Sequence, residues 1–509
     1  MDYMLEREKV AVDEVVFDGS QEQPVDMDIS LPDYCPDIQR ILKCQIYPRV
    51  TARSIMGDRL MLDGNFTVKV FYLDPDAACV RCCESGDSYS AEIALKQPAD
   101  NARVLASPRV EYINCRATSP RKLDIHGAFS LCARVIRQGQ SELVSNIAGD
   151  DVEQLKSTAA VNQPVGFAQQ QFSVDEVLEL GQGKPAADSI LRTDAFAVLQ
   201  DFKVTAGKLM IRGEACIKFL YSTAGETESL ETMEYSLPFS QVLDCEGVTD
   251  DCLCDVKLSV ASAEAQIKND YSGDKTFFDT QIKIFADAEA CRSTQVTFVS
   301  DAFSRKYDMN LEAKQKTLDS LAEVVSDTFV HKAELSADEN TVSKVLDVWS
   351  EMGNVSAEAS DGNVKFKGKY SLCVLAVNAE NKPFYFERLL NFEYTKQCTS
   401  SGDLKCEASV GAGAVSYRIT GSGIETKTEL RLSAELSRSL SVKSISAATA
   451  DETKPVQRDA AALCLYFAAA GESLWNIARE YRTSLQSIRS ENGLSGDAVE
   501  NKGMLLIPM

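Results

Sequence analysis

The chain has 509 residues, 44% of them hydrophobic and 25% charged, which predicts several packed domains rather than one core or a disordered polymer. Its 53 basic and 76 acidic residues leave a net charge of −23, which repels phosphate backbones and anionic lipid heads and argues against nucleic-acid or membrane-surface binding by charge. No apolar run reaches the roughly 18 residues of a membrane span, and the opening MDYMLEREKVAVDEVV places charges where a secretory leader has its apolar stretch.

In chain order, the first element is a lead-in, VAVDEVVFDG (residues 10–19), with a similar stretch, FSVDEVLELGQG, at 172–183. A short helix is expected over PDYCPDIQRILK, because Pro36 suits a first helical turn and Asp37 complements the positive end of a helix dipole. An aliphatic pair follows, Ile41-Leu42, and then a strand pattern around Gly64. The same plan returns with Ile190-Leu191 and Gly213, and again with Val345-Leu346 and Gly368; in each copy the glycine lies 23 positions after the first member of the pair. Identical spacing three times marks an internal repeat.

Around each glycine apolar residues alternate with period two: Leu60, Leu62, Phe66, Val68, Val70 and Tyr72 in the first copy, with matching runs in the others. This is the signature of half-buried strands, with the interior glycine marking a bend or bulge. The motif recurs as KLDIHGAFSLCARV and, more weakly, as TFFDTQIKIFADAEA and TKTELRLSAELS, so each unit is expected to hold two β-layers in a sandwich-like arrangement. The expected division is 1–150, 160–308 and 318–447 for the three β units. The polar, proline-broken stretch at 448–461 is expected to be a linker.

The last segment, 462–509, reads as strand, helix, helix, strand. Leu474, Ile477, Ala478 and Tyr481 make one helical stripe, Ser484 caps a second helix, and Asn492-Gly493 ends it. Little chemistry is visible elsewhere. The two histidines, His126 and His331, lie in different units, and no phosphate-cradling or nucleophile-elbow motif occurs. Cys79, Cys82 and Cys83 are expected in a loop after the first glycine-centred strand, and Cys252 and Cys254 form a second close set. Incidental thiols, oxidative crosslinking sites and zinc ligands are the alternatives for these cysteines, as for Cys35 in its turn. Trp349 is expected in the core. No metal and no cofactor are expected.

Gly471, Leu474, Trp475, Ile477, Ala478, Tyr481, Asn492, Gly503, Ile507 and Pro508 resemble the pattern of a LysM domain. That resemblance implies a βααβ fold whose two loops line a shallow groove for N-acetylglucosamine polymers. It places the candidate contact residues at Gly471, Glu472, Ser473, Leu474, Trp475, Asn492, Gly493 and Leu494. Glu472 and Ser473 stand where the pattern has aspartate and threonine, and they alternatively serve only to start the helix. Trp475 is either core packing or, by an exposed edge, a partner anchor.

Upstream, LPDYCPDIQRILK followed by LMLDG resembles the SPOCS domain of spore-forming Firmicutes. Three such units and a carboxy-terminal LysM resemble the SipL type of spore morphogenesis protein. The fold implied is mainly β: three tandem SPOCS-type units plus a small α+β LysM domain. The role implied is that of a non-enzymatic scaffold of spore-envelope and coat assembly. It would act in the mother-cell cytoplasm at the forespore surface and bind a coat morphogenetic ATPase through the LysM. The alternative is peptidoglycan binding by the same module.

Overall fold

The computed structural model describes residues 1–75, 79–223, 229–338, 340–421, 423–456 and 462–509. Among the described residues strands dominate, and the helices are two short ones near the carboxy-terminal end. Neither is long and apolar enough to cross a membrane.

Three successive stretches each carry six strands in one topology. The first holds β1 (Leu5–Ser30), β2 (Arg40–Met56), β3 (Arg59–Leu73), β4 (Val80–Ala94), β5 (Arg103–Ser119) and β6 (Lys122–Ile147). The second holds β7 (Val152–Glu179), β8 (Ala187–Thr205), β9 (Lys208–Thr223), β10 (Leu230–Asp244), β11 (Leu253–Lys268) and β12 (Phe277–Ser304). The third holds β13 (Tyr307–Ser336), β14 (Val342–Ser360), β15 (Asn363–Asn378), β16 (Pro383–Gln397), β17 (Leu404–Ile419) and β18 (Gly423–Pro455). In each unit the four middle strands supply a meander (β2-β3-β4, β8-β9-β10, β14-β15-β16) and one edge of a second sheet. The outer strands pair with each other to complete that sheet (β1-β6-β5, β7-β12-β11, β13-β18-β17). All pairings are antiparallel. The two sheets face each other over an apolar core, in the first unit Leu60, Leu62, Val68, Val70 and Tyr72 against Leu123, Ile125, Phe129 and Leu131. This is the sandwich expected from the alternation.

The repeated glycine has a steric reason. Opposite Gly64, Gly213 and Gly368 the neighbouring strand is bulged, and on the other side the paired residue is aromatic: Tyr89, Phe239 or Phe392. A Cβ on Gly213 would lie 2.2 Å from the Val198 carbonyl oxygen and 2.7 Å from the Phe239 ring; on Gly64 it would lie 2.0 Å from the Arg49 carbonyl oxygen. The glycine leaves room for the bulged strand and lets the ring fold over the backbone. Gly213→Ala is expected to lower unfolding stability by at least about 1–3 kcal/mol, the cost of overpacking. Urea titration checks this, and an unchanged midpoint would contradict it.

The long outer strands do more than close the sandwiches. Beyond the reach of β5, β11 and β17 they run on as two-stranded ribbons, β1/β6, β7/β12 and β13/β18, and the three ribbons meet. Val144 and Ile147 of the first unit, Val299 and Ala302 of the second, and Ile445 and Ala448 of the third share one buried cluster with Tyr3. At the other end the meanders meet: Phe71, Leu73 and Val80, then Leu191, Leu220 and Leu230, then Leu346, Trp349, Cys373 and Leu375. The aliphatic pairs are thereby divided. Ile41, Ile190 and Val345 pack into their own sandwiches, while Leu42, Leu191 and Leu346 face the junction. Successive side chains on a strand point to opposite faces, and here both faces are covered.

Charged pairs cross each seam: Arg53–Asp287 between units one and two, Lys257–Glu435 between two and three, and Arg134–Glu407 between three and one. Each unit thus touches both others. The most enclosed set joins units two and three. Asp347, 3% exposed, accepts from Arg192 at 3.1 Å and Lys218 at 2.8 Å, and the Arg192 guanidinium lies 4.0 Å over the Trp349 ring. Trp349 is buried as expected, but between units rather than inside one.

Four expectations need correction. Residues 31–39 form turns, not a helix. Their carbonyls at Leu31, Pro32 and Cys35, and the Asp37 carboxylate, are taken by the Arg121 guanidinium. The Ile38 N–H goes to the Pro120 carbonyl at 2.7 Å, so neither a helical ladder nor a dipole partner is left. Cys82 and Cys83 lie in β4 rather than a loop, opposite Phe71 and Val70. Burial pushes their thiols up to about 12 and about 11, which keeps them protonated and poor as nucleophiles or ligands. The lead-ins at 10–19 and 172–183 are not equivalent. The first straddles the ribbon and the far end of the first sandwich, Val10–Glu14 lying beyond the reach of β5 and Val15–Gly19 within it, whereas the second runs along the opposite sandwich end of β7, where β1 instead has Val25–Ser30. Finally, residues 448–455 extend β18 along Tyr307–Leu311 of β13 instead of starting a linker, because Ala448 and Ala450 face the ribbon junction. Residues 457–461 lie outside the described residues.

His331 in β13 is held on Tyr370, whose hydroxyl lies 2.7 Å from Nδ1, and burial lowers its pKa below the ordinary value of 6.5. The neutral ring is the one the fold favours, so this contribution is complete above pH 6.5 and declines as the pH falls below it. Between pH 7.5 and 5.5 the wild-type unfolding midpoint should fall more than that of His331→Gln; parallel curves would refute the assignment.

Candidate functional site

The carboxy-terminal module is built from β19 (Leu463–Ala468), α1 (Leu474–Glu480), α2 (Leu485–Asn492) and β20 (Gly503–Pro508). Leu474, Ile477 and Ala478 are buried, as the helical stripe predicts, with Ile488, Val499, Leu505 and Ile507 around them. Ser484 caps α2, its side chain accepting from the Ser487 N–H. Gly493 ends the helix at φ 63°, the left-handed cap that glycine takes without a Cβ penalty.

The two loops expected to flank a groove are joined by backbone bonds. The Gly471 N–H reaches the Val499 carbonyl at 2.8 Å, the Val499 N–H the Glu472 carbonyl at 2.9 Å, and the Leu474 N–H the Asp497 carbonyl at 3.0 Å. A donor that α1 leaves free at its start is thus satisfied by the opposite loop. Glu472 and Ser473 do not start the helix through their side chains. Ser473 makes no side-chain cap bond, and the Glu472 carboxylate turns back to accept from the Tyr466 hydroxyl and, at 2.9 Å, from the Ala469 N–H. Those bonds, the Tyr466 hydroxyl first, hold its pKa below the usual range. Asn492 is also structural. Its amide donates to the Ile488 carbonyl at 2.8 Å and to the Leu506 carbonyl at 2.6 Å, and it accepts from the Leu506 N–H at 2.7 Å, closing the free edge of β20.

Of the candidate residues, Gly471 and Gly493 are exposed, Glu472, Ser473, Asn492 and Leu494 are half-buried, and Leu474 and Trp475 are buried. Trp475 has no exposed edge. It is 5% exposed, its ring centre lies 5.0 Å from that of Phe303, and its Nε1–H donates to Asp301 at 2.9 Å. Arg479 reaches the same Asp301 carboxylate at 2.8 Å, and Arg482 reaches Asp308 at 3.0 Å and the Ser304 carbonyl. The module follows the third β unit in sequence but sits on β12 of the second. Neither Asp301 nor Phe303 stands out in the sequence; only their place in an alternating strand is legible there.

Elsewhere, exposed His126 lies between Asp26 at 2.6 Å and Asp124 at 2.9 Å, and the Asp26 bond raises its pKa. Among the described residues no group of three or more His, Cys, Asp or Glu is placed to hold a metal ion.

A family model described as SipL, SPOCS domain matches residues 37–118 and 186–268, and the LysM domain model matches 469–508. Two SPOCS segments followed by a carboxy-terminal LysM match the SipL-type architecture expected from the sequence. The SPOCS matches cover β2–β5 and β8–β11, the four middle strands of the first two units, and stop short of the long outer strands. SPOCS and LysM are non-catalytic, binding-type domains, and together they fit a sporulation protein with a peptidoglycan-binding-type module. No curated protein and no solved structure matches the chain.

Proposed function

We propose that the chain is a non-enzymatic scaffold of spore-envelope and coat assembly, working in the mother cell at the forespore surface. It binds a coat-basement morphogenetic ATPase chiefly through the LysM module. The observation that carries this reading is the seating of a binding-type module on the second β unit: the Asp301 carboxylate takes both Trp475 and Arg479. Force or position taken at the module is thereby passed to three mutually packed β units. The loop face, Gly471 to Ser473 with Asn492 to Leu494, is the proposed contact region, and Leu474 and Trp475 support it from beneath.

Capture of the purified ATPase by the full chain, with no glycan present, is the expected result. Retention on purified peptidoglycan that needs the module and is competed by chitin oligomers would instead favour the second reading, which the LysM match supports. In a sporulating cell the labelled chain should form a ring around the forespore; diffuse label in vegetative cells would oppose the proposal.

A further inference from the structure

The outer face of the LysM sheet is apolar throughout. In β19, Leu463, Leu465 and Phe467 point away from the helices, and opposite them in β20 stand Pro508, Leu506 and Met504. Leu465, Phe467 and Met504 are 64%, 67% and 63% exposed. Inward-facing Tyr466, Ala468, Leu505 and Ile507 already fill the module's own core, so the outer row adds nothing to folding. A module this small rarely exposes four large apolar side chains, Leu463, Leu465, Phe467 and Met504, on one face without a partner.

We propose that this face docks an amphipathic helix of a partner protein, presenting an apolar stripe at i, i+3, i+4 and i+7 with a carboxylate beside it. The inference rests on the reading of the module as a protein-docking head, and it adds a second contact surface to the loop face. Three residues on each of two strands give a strip about 13 Å long and about 10 Å wide. That is the footprint of about nine helical residues, since a helix is about 10–12 Å across and rises about 1.5 Å per residue. A second copy of the chain does not suit it, because a stable dimer needs about 800 Å² from each partner and the strip supplies only a fraction of that, whereas weak, reversible recognition of a short helix needs less. Charge sets the helix's complement: Lys502 lies 5.5 Å from the Phe467 ring centre at the rim, and no carboxylate pairs with it among the described residues. An acidic side chain flanking the stripe meets it there.

The test uses the full chain and a stapled eleven-residue helical peptide with leucines at i, i+3, i+4 and i+7 and a glutamate beside them. A scrambled stapled peptide of the same composition is the control. Fluorescence anisotropy should show saturable binding of the first peptide only, weakened at least tenfold by Leu465→Glu and by Met504→Lys, and weakened less by Lys502→Ala. Both large changes fall on exposed positions, and in a chain with Trp349 changed to phenylalanine, unchanged emission from the buried Trp475 certifies that the module still folds. Equal binding of both peptides, no binding, or binding indifferent to Leu465→Glu overturns the proposal, as does a chain dimer that Leu465→Glu dissolves. With the purified ATPase, loss of capture in Leu465→Glu supports the strip as the partner's seat. Unchanged capture overturns that and leaves the scaffold reading intact. Failure of the wild-type chain to capture the ATPase sinks the scaffold reading, and the peptide result then decides the strip alone.

Discussion

Asp347→Ala is expected to destabilise the chain by about 3–5 kcal/mol, because it strips the shared anion from two cations held in a junction closed to water. One Asp347 oxygen accepts from Arg192 at 3.1 Å, the other from Lys218 at 2.8 Å, and the Lys218 ammonium also reaches the Val348 carbonyl at 2.9 Å. Asp194 still faces Arg192 after the change, and Glu234 still lies 3.4 Å from Lys218, but both belong to the second unit. The ionic link to the third unit is what disappears, leaving the Lys218 bond to the Val348 carbonyl and the Arg192 guanidinium over Trp349. Chemical unfolding should therefore show a lower midpoint and, if the third unit detaches first, a split transition. Replacing Arg192 and Lys218 by methionine and Asp194 by asparagine in the same variant should recover most of the loss, since that removes the charges left uncompensated at the junction. A single-variant cost below about 1 kcal/mol would mean that the apolar junction holds the units without the ions.

Releasing the module from its seat gives the second large effect. Trp475→Ala removes a ring that belongs to the module's core and to its contact with Phe303, at a cost of about 3–5 kcal/mol. It therefore unfolds the module and frees it together. Asp301→Ala separates the two, because it deletes only the carboxylate that receives Trp475 Nε1 and Arg479. With Trp349, the other tryptophan, changed to phenylalanine, Asp301→Ala should shift the remaining emission to the red and raise the radius of gyration in X-ray scattering, while circular dichroism keeps the module's helices. Unchanged emission and scattering would show that Phe303, with Leu155 of β7 packed against the same cluster, seats the module without the polar clamp.

Much of this architecture was legible from residues. The glycine spacing announced three copies, and period-two alternation around Gly64, Gly213 and Gly368 announced strands with a bulge. The register confirms both and supplies the reason, a bulged neighbour on one side and an aromatic ring on the other. The module was equally readable, down to the Ser484 cap and the Gly493 stop. Local signals misled where a distant group intervened. Pro36 and Asp37 looked like a helix start until Arg121, 84 positions beyond Asp37, took the acceptors. Cys82 and Cys83 looked like loop thiols because nothing local shows that β4 begins at Val80.

The candidate site divides in the same way. Asn492 and Gly493 carry a signal that is really about closing a strand edge and ending a helix, and their structural work is complete without a ligand. Trp475 presented two readings, and its burial under Phe303 decides for packing, though against another unit rather than within the module alone.

What the amino-acid sequence determined by itself is everything governed by neighbours along the chain: strand periodicity, the threefold repeat, and the caps and stops of two short helices. Only the tertiary structure decided what covers each face. An alternating strand states that two faces differ, but Leu42, Leu191 and Leu346 do not announce that they will meet one another, nor Trp475 that its acceptor lies 174 positions earlier at Asp301. Such contacts depend on how whole sheets are stacked, and stacking is settled by the summed burial of many residues and not by any local pattern.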